Sequence, residues 1–164
     1  MLSEKEQTSF LNISKPPYGY ELTYCIGTTF SLDIECLVQM AVNSRSSNSN
    51  VLLSSTPEIL EIITRFEAKT LVFCQNCRIK EIKSEDQPGL NKDILNFYNL
   101  VDSTVEVVPP PNERSSFHPK VWFLRFDADS LNASPVFRLV TMSRNLTMDL
   151  KWDISVTLVG ELAK

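Results

Sequence analysis

The sequence predicts an α/β fold in which a mixed β-sheet is flanked by helices on both faces. In the first two thirds of the chain, runs of β-forming residues alternate with segments whose apolar residues recur at helical spacing. The last third holds three apolar runs with no long helical pattern between them. We therefore expect the first strands to be linked through helices, and the last three to form a β-meander in the same sheet.

The predicted elements follow in order along the chain. Residues 20–26 predict a strand, residues 27–30 a turn and residues 31–42 a helix, because apolar residues recur there at helical spacing. A polar loop over 43–50 and a short apolar run over 51–53 precede a helix from Thr56 to about Arg65, which Pro57 and Glu58 suit at its first turn. The remaining predictions are a strand over 70–74, a helix over 91–101, and strands over 104–108, 120–126, 137–142 and 154–159.

The strand predicted over 120–126 is the most strongly apolar of these elements. Its residues 121–126 are apolar on both faces apart from Arg125. That pattern is typical of a central strand covered by helices on each side. We expect such a strand to hold its ends rigidly.

Length and composition indicate one soluble globular domain, 1–164, in which residues 1–17 form a flexible or peripheral arm. Hydrophobic residues make up 43% of the chain and charged residues 22%, which is ordinary for a protein with a single core. The formal net charge of -4 offers no general attraction for nucleic acid. A nucleic-acid site would therefore have to be locally basic, and Arg114, Lys120, Arg138, Arg144 and Lys151 could form such a patch or simply a solvated rim.

The chain lacks the pattern of a secretory signal at its start and any apolar run near the ~18 residues that span a membrane. We expect a cytoplasmic protein without a membrane anchor, with its cysteines as reduced thiols. Cys74 and Cys77 have the spacing of half a zinc site or a redox pair, but Cys25 and Cys36 do not form a second close pair. Buried structural thiols are the favoured interpretation, and we expect neither a metal nor a cofactor.

The candidate site combines two short motifs on successive strands. His118, the only histidine, and Lys120 are two residues apart at the start of one predicted strand, and Ser143 and Asn145 have the same spacing after the next. Residues two apart in a strand project from one face. The two pairs would bring together a nucleophile, a cation and two uncharged hydrogen-bonding groups, a set that suits a phosphoryl centre.

These two motifs resemble those of the phospholipase D superfamily, a His-x-Lys strand followed by a Gly-Ser-x-Asn strand end. The resemblance covers residues 117–159 and implies an α/β/α sandwich and metal-independent action on phosphodiesters. It makes His118 the nucleophile that forms a phosphohistidine intermediate, Lys120 the balancing charge, Asn145 a donor to the phosphoryl oxygens and Ser143 a supporting hydroxyl. Asp153 matches the acidic residue that follows the motif, and its carboxylate would orient the imidazole.

The chain departs from the family pattern at two positions and in its number of histidines. Arg125 stands where the motif has aspartate, and Met142 stands where it has glycine. Catalysis in the superfamily uses two histidines, one attacking and one protonating the leaving group, and this chain supplies one. A homodimer or a second phospholipase D-like half would supply the other.

Two classes of function follow. The first is a nuclease-like phosphodiesterase or hydrolase, whose phosphodiester substrate would be a nucleic acid such as DNA. The second is a catalytically inactive module that keeps the fold and binds nucleic acid or a partner domain. A lone histidine beside a strand is more often structural, and a Ser-x-Asn turn is often a backbone cap, so the combination of both motifs carries the hypothesis. Phospholipid hydrolysis is a third possibility, but no amphipathic basic helix favours it.

Overall fold

The computed structural model describes residues 9–44, 56–78, 99, 101–128, 130, 133–148 and 153–162. These residues form an α/β fold around one six-stranded mixed sheet with the order β3-β2-β1-β4-β5-β6. The strands β1, β2 and β3 are mutually parallel, whereas β4, β5 and β6 continue the sheet antiparallel. The elements are α1 (Phe10–Ser14), β1 (Tyr20–Asp33), α2 (Ile34–Asn43), α3 (Thr56–Glu67), β2 (Thr70–Arg78), β3 (Val105–Val107), β4 (Val121–Ala128), β5 (Val136–Met142) and β6 (Ser155–Glu161).

Strand β1 is twice as long as the sequence predicts, since it spans 14 residues and continues through the segment predicted as a turn. The predicted turn over 27–30 is therefore wrong, and helix α2 begins at Ile34 rather than at residue 31. The segment remains extended because β1 pairs with β2 on one side as far as Asp33 and with β4 on the other as far as Gly27. Pairing with two neighbouring strands outweighs the local turn tendency of a single glycine.

The helices cover one face of the sheet and bury their apolar stripes against it. In α2, Ile34, Leu37 and Ala41 follow the spacing of one helix face and are at most 3% exposed. From β4, the alternate residues Trp122 and Leu124 enter the same core and are fully buried. The predicted helix from Thr56 and the predicted central position of residues 121–126 are confirmed, because α3 begins at Thr56 and β4 lies between β1 and β5.

Helix α1 lies within the predicted N-terminal arm and packs against the core. The ring of Phe10 lies 4.9 Å from that of Trp122, and Ser9 caps the helix by accepting from the backbone N–H of Asn12. The backbone oxygens of Ile13 and Lys15 also accept hydrogen bonds from a β5 side chain. This part of the arm is peripheral but attached.

The opposite face of the sheet carries a row of exposed apolar side chains. Register places them side by side on neighbouring strands, and each is between 37% and 61% exposed: Leu71, Ile26, Phe123, Leu139 and Leu158. The helices α1, α2 and α3 all contribute side chains to the core on the other face. In the described part of the chain, helices on both faces are therefore not observed, and that finer prediction stays a prediction.

Several predictions fall outside the described residues. They concern the loop and apolar run over residues 45–53 and most of the helix over 91–101, although Val101 at its end is fully buried in the core. The side chain of Cys77 also lies outside the described set, whereas Cys74 is buried. Within the described ranges, no helix combines the length and apolar character needed to cross a membrane.

We expect Gly27→Ala to destabilise the fold, because a Cβ atom there would overlap three ring carbons of the buried Trp122. The free energy of unfolding in urea should fall by about 1–3 kcal/mol, the usual cost of overpacking a core. Gly160→Ala is the matched control, since a Cβ atom at Gly160 meets nothing within 4 Å, and it should change stability by less than about 0.5 kcal/mol. Equal stability of the two variants would contradict the packing described.

Candidate functional site

The predicted site residues lie at one end of the sheet. Antiparallel pairing of β1 with β4 and of β5 with β6 brings the ends of β1 and β5 to the starts of β4 and β6. Met142, the last residue of β5, donates its backbone N–H to the backbone oxygen of Lys120 at 3.0 Å and pairs with Ser155 of β6. The two sequence motifs are thus neighbours in space as well as on successive strands.

The segment that carries His118 is attached to the sheet on both sides. Before it, the backbone N–H of Phe117 donates to Oε1 of Gln75 in β2 at 2.6 Å. After it, Val121 donates its N–H to Oγ1 of Thr28 at 3.0 Å, and the same hydroxyl donates to the Val121 oxygen at 3.1 Å. These contacts hold an exposed imidazole on a fixed piece of backbone.

Two side chains contact the imidazole of His118. The ring of Phe30 lies 4.9 Å away at an angle of 39°. The Lys120 ammonium nitrogen lies 2.7 Å from Nδ1 and 3.4 Å from Nε2, and it also donates to the His118 backbone oxygen at 3.3 Å. Since an ammonium group can only donate, Nδ1 accepts, and the hydrogen bond assigns the proton of a neutral ring to Nε2.

Lys120 is an unusually buried cation, with only 9% of its surface exposed. Burial lowers the pKa of its ammonium group, and the negative charge of Asp153 opposes this effect. Among the described residues, no carboxylate comes within ion-pair distance of Lys120. A buried charge without a paired anion is costly.

Ser143 and Asp153 form a compact hydrogen-bonded pair. Oδ1 of Asp153 accepts from the Ser143 backbone N–H at 3.0 Å and from the Ser143 hydroxyl. The same hydroxyl accepts from the backbone N–H of Ile154 at 3.2 Å. In the described part of the chain Asp153 makes no hydrogen bond to His118, so its carboxylate fixes the end of β5 rather than the imidazole in this state.

Asn145 lies half-buried two residues beyond Ser143. Its Oδ1 atom is buried and has no hydrogen-bond partner among the described residues. The next residue, Leu146, forms a parallel bridge with Leu32 of β1, so the chain around Asn145 runs beside that strand. The structure therefore places Asn145 at the same sheet end as His118 without a direct hydrogen bond between them.

Arg138 does not contribute to the predicted basic patch. This guanidinium donates to the backbone oxygens of Ile13 and Lys15 at 2.5 and 2.6 Å, and it lies 4.7 Å from the ring of Phe126. Burial lowers its pKa. Arg138 attaches α1 to the sheet because alternation along β5 points it to the helix-covered face, and Lys151 lies outside the described residues.

Three contacts of the site are absent from the sequence-based prediction. Phe30 and Thr28 belonged to the predicted turn, and Gln75 lay beyond the predicted end of its strand. The β-forming run Thr28, Thr29 and Phe30 directly after Gly27 was the available signal that β1 continues. Gln75 carries no comparable signal, because its contact with Phe117 joins two segments 42 residues apart in the sequence.

Comparisons of the chain with models of protein families, with curated proteins and with solved structures give no match. Among the described residues, no group of three or more His, Cys, Asp or Glu side chains could hold a metal ion. The functional interpretation therefore depends on the geometry of the site.

We expect Lys120→Met to change the pH dependence of stability. Because the folded-state pKa of Lys120 is lowered, the unfolded chain binds more protons as the pH approaches 10.5, the ordinary lysine value. The contribution of Lys120 to stability should then become less unfavourable as the pH rises through this window. Wild type should gain stability relative to Lys120→Met in urea unfolding between neutral pH and 10.5. A difference that stays constant with pH would contradict the burial of this ammonium group.

Proposed function

We propose that the chain is a phospholipase D-like phosphodiesterase domain of nuclease-like type. Lys120 carries this proposal, because this buried residue places its ammonium group 2.7 Å from an exposed imidazole and has no carboxylate at ion-pair distance in the described part of the chain. A phosphodiester would supply the missing negative charge beside a nucleophile. The mixed α/β sheet is compatible with the proposed α/β/α sandwich.

The first step of the proposed reaction forms a phosphohistidine. A phosphoryl oxygen accepts the Lys120 N–H that now points at Nδ1 of His118, and solvent water takes the ring proton from Nε2 and returns a proton to the freed Nδ1. The lone pair of Nε2 then attacks phosphorus, and the bond between phosphorus and the leaving oxygen breaks. The leaving alkoxide takes a proton from an acid. Asn145 and Lys120 would balance the charge that develops on the phosphoryl oxygens.

The second step releases the product. Water attacks phosphorus, gives up a proton to a base, and breaks the phosphorus–nitrogen bond to restore the imidazole. Neither step needs a metal ion in this scheme. Ser143 would support the site indirectly, because its backbone and hydroxyl hold Asp153 at the end of β5.

The acid in the first step is the group that this chain does not supply. His118 is its only histidine, and it is the attacking group. A second copy of the chain, or a second phospholipase D-like half, would contribute the other imidazole. Nucleic acid is the proposed substrate, because its backbone is made of bridging phosphodiesters and their hydrolysis needs no contact with a membrane surface.

The cysteines support the proposed cytoplasmic setting. Cys25 and Cys36 are buried thiols, which fits a reducing compartment. Burial raises the pKa of both Cys25 and Cys36 to about 12, so these thiols are unreactive. In this proposal these cysteines pack in the core, and His118 is the nucleophile.

A catalytically inactive phosphate-binding module is the second candidate. The Lys120 hydrogen bond to Nδ1 favours it, because the ring then carries its proton on Nε2 and lacks a free lone pair there. Met142 in place of the family glycine also puts a bulky side chain beside the site. Such a module would bind a nucleic-acid phosphate or a partner domain without cleaving it.

We expect the purified chain to hydrolyse bis(p-nitrophenyl) phosphate, plasmid DNA or single-stranded DNA in the presence of EDTA. His118→Ala should lower the rate by about 10³-fold or more, because the nucleophile is lost. Lys120→Met and Asn145→Ala should each lower it by about 10²–10³-fold, the usual cost of removing one group that stabilises developing charge.

Lys69→Met is the matched control, since this lysine pairs with Glu21 just before β2 begins, at the other end of the sheet. It should retain the wild-type rate. Phosphate binding by wild type without hydrolysis of any substrate would favour the inactive module. Hydrolysis that survives His118→Ala would contradict both the nucleophile and the proposed reaction.

A further inference from the structure

The segment that follows Asn145 is attached to the end of β1 by backbone and side-chain hydrogen bonds. The backbone N–H of Asp33 donates to the Leu146 oxygen at 3.0 Å. The Leu146 N–H donates in return to the hydroxyl of Thr29 at 3.2 Å. Leu146 thus has both of its backbone groups occupied by β1.

Asp33 makes a further contact that its position in the fold would not predict. It is the N-cap residue of α2, where an aspartate side chain normally accepts from a backbone N–H in the first turn of its own helix. Asp33 makes no such cap, and its Oδ2 instead accepts from the backbone N–H of Met148 at 2.9 Å. Its carboxylate is therefore committed to the segment after Asn145 rather than to α2.

Thr29 is fully buried, and its hydroxyl has a partner in each role. It accepts from the Leu146 N–H and donates to the backbone oxygen of Ser31 at 2.9 Å. A valine would fill nearly the same space but would leave the Leu146 N–H without an acceptor in a buried position. The hydroxyl, rather than the volume of the side chain, is what this position uses.

These contacts fix the backbone on one side of Asn145, and the end of β5 fixes it on the other. There the Ser143 N–H donates to the backbone oxygen of Ile154 at 3.0 Å. The Asn145 side chain itself has no hydrogen-bond partner for its buried Oδ1 among the described residues. The backbone on both sides of Asn145 is therefore held by hydrogen bonds, whereas its side-chain oxygen is not.

We propose that Thr29 and Asp33 are positioning residues that hold the Asn145 amide toward the phosphoryl site, an inference that rests on the proposed function. Neither residue reaches the reacting atoms. Their side chains act through Leu146 and Met148 on the direction in which Asn145 projects. A displacement of about 1 Å at such a group can cost up to about 10²-fold in rate.

Two conservative pairs of variants test this role. Thr29→Val removes the hydroxyl and Thr29→Ser keeps it, whereas Asp33→Ala removes the acceptor and Asp33→Asn keeps it. We expect Thr29→Val and Asp33→Ala to lower kcat for bis(p-nitrophenyl) phosphate by about tenfold with a smaller change in KM. Thr29→Ser and Asp33→Asn should restore most of the rate.

Amide hydrogen exchange and the side-chain NMR signals of Asn145 test the same inference without catalysis. Exchange should rise selectively at Leu146 in Thr29→Val and at Met148 in Asp33→Ala, and the Asn145 side-chain NH₂ signals should shift in both. A uniform rise in exchange with unchanged Asn145 signals would indicate a general loss of stability and would overturn the positioning role. So would equal effects of Thr29→Ser and Thr29→Val.

Failure of the proposed function has a different result. If wild type neither hydrolyses a phosphodiester nor binds phosphate, yet exchange and the Asn145 signals respond as expected, the positioning contacts stand and the phosphodiesterase proposal falls. If wild type is active and the Thr29 and Asp33 variants leave kcat and the Asn145 signals unchanged, the phosphodiesterase proposal stands and the positioning role falls.

Discussion

The structure depends on the pairing of β1 with two neighbours that run in opposite directions. Its 14 residues join the parallel half of the sheet, through β2, to the antiparallel half, through β4. Gly27 leaves room for the ring of Trp122. The hydroxyl of Thr28 forms hydrogen bonds with both backbone groups of Val121 at the start of β4. A shift of β1 by one residue would exchange its buried and exposed faces and separate these contacts.

The same strand links the core to the candidate site. Lys120 directly precedes Val121, whose backbone is held by Thr28. This buried lysine places its ammonium group beside the exposed imidazole of His118. Burial makes this charge expensive, and the fold tolerates it because Lys120 has hydrogen-bond acceptors in His118 and a negative charge nearby in Asp153.

Sequence patterns predicted the α/β class, the order of the described strands along the chain and the proximity of the two motifs, because strand propensity and alternation are local properties. They failed where a contact depends on distant pairing. Gly27 was expected in a turn, but pairing with β2 and β4 keeps it extended. Arg138 was expected in a basic patch, but strand alternation places it on the helix-covered face, where it contacts α1. Asp153 bonds to Ser143 because β6 starts directly beside the end of β5, and its expected role beside the imidazole stays a prediction.

Base-quenched mass spectrometry of the chain during turnover of bis(p-nitrophenyl) phosphate in EDTA tests the central proposal most directly. Phosphohistidine survives base and is lost in acid, so a nucleophilic His118 predicts an acid-labile phosphoryl adduct on the peptide that contains it. The adduct should accumulate when hydrolysis of the intermediate is slow and should be absent from His118→Ala. Turnover without an adduct, or an adduct on another residue, would contradict the assignment of His118 as the nucleophile.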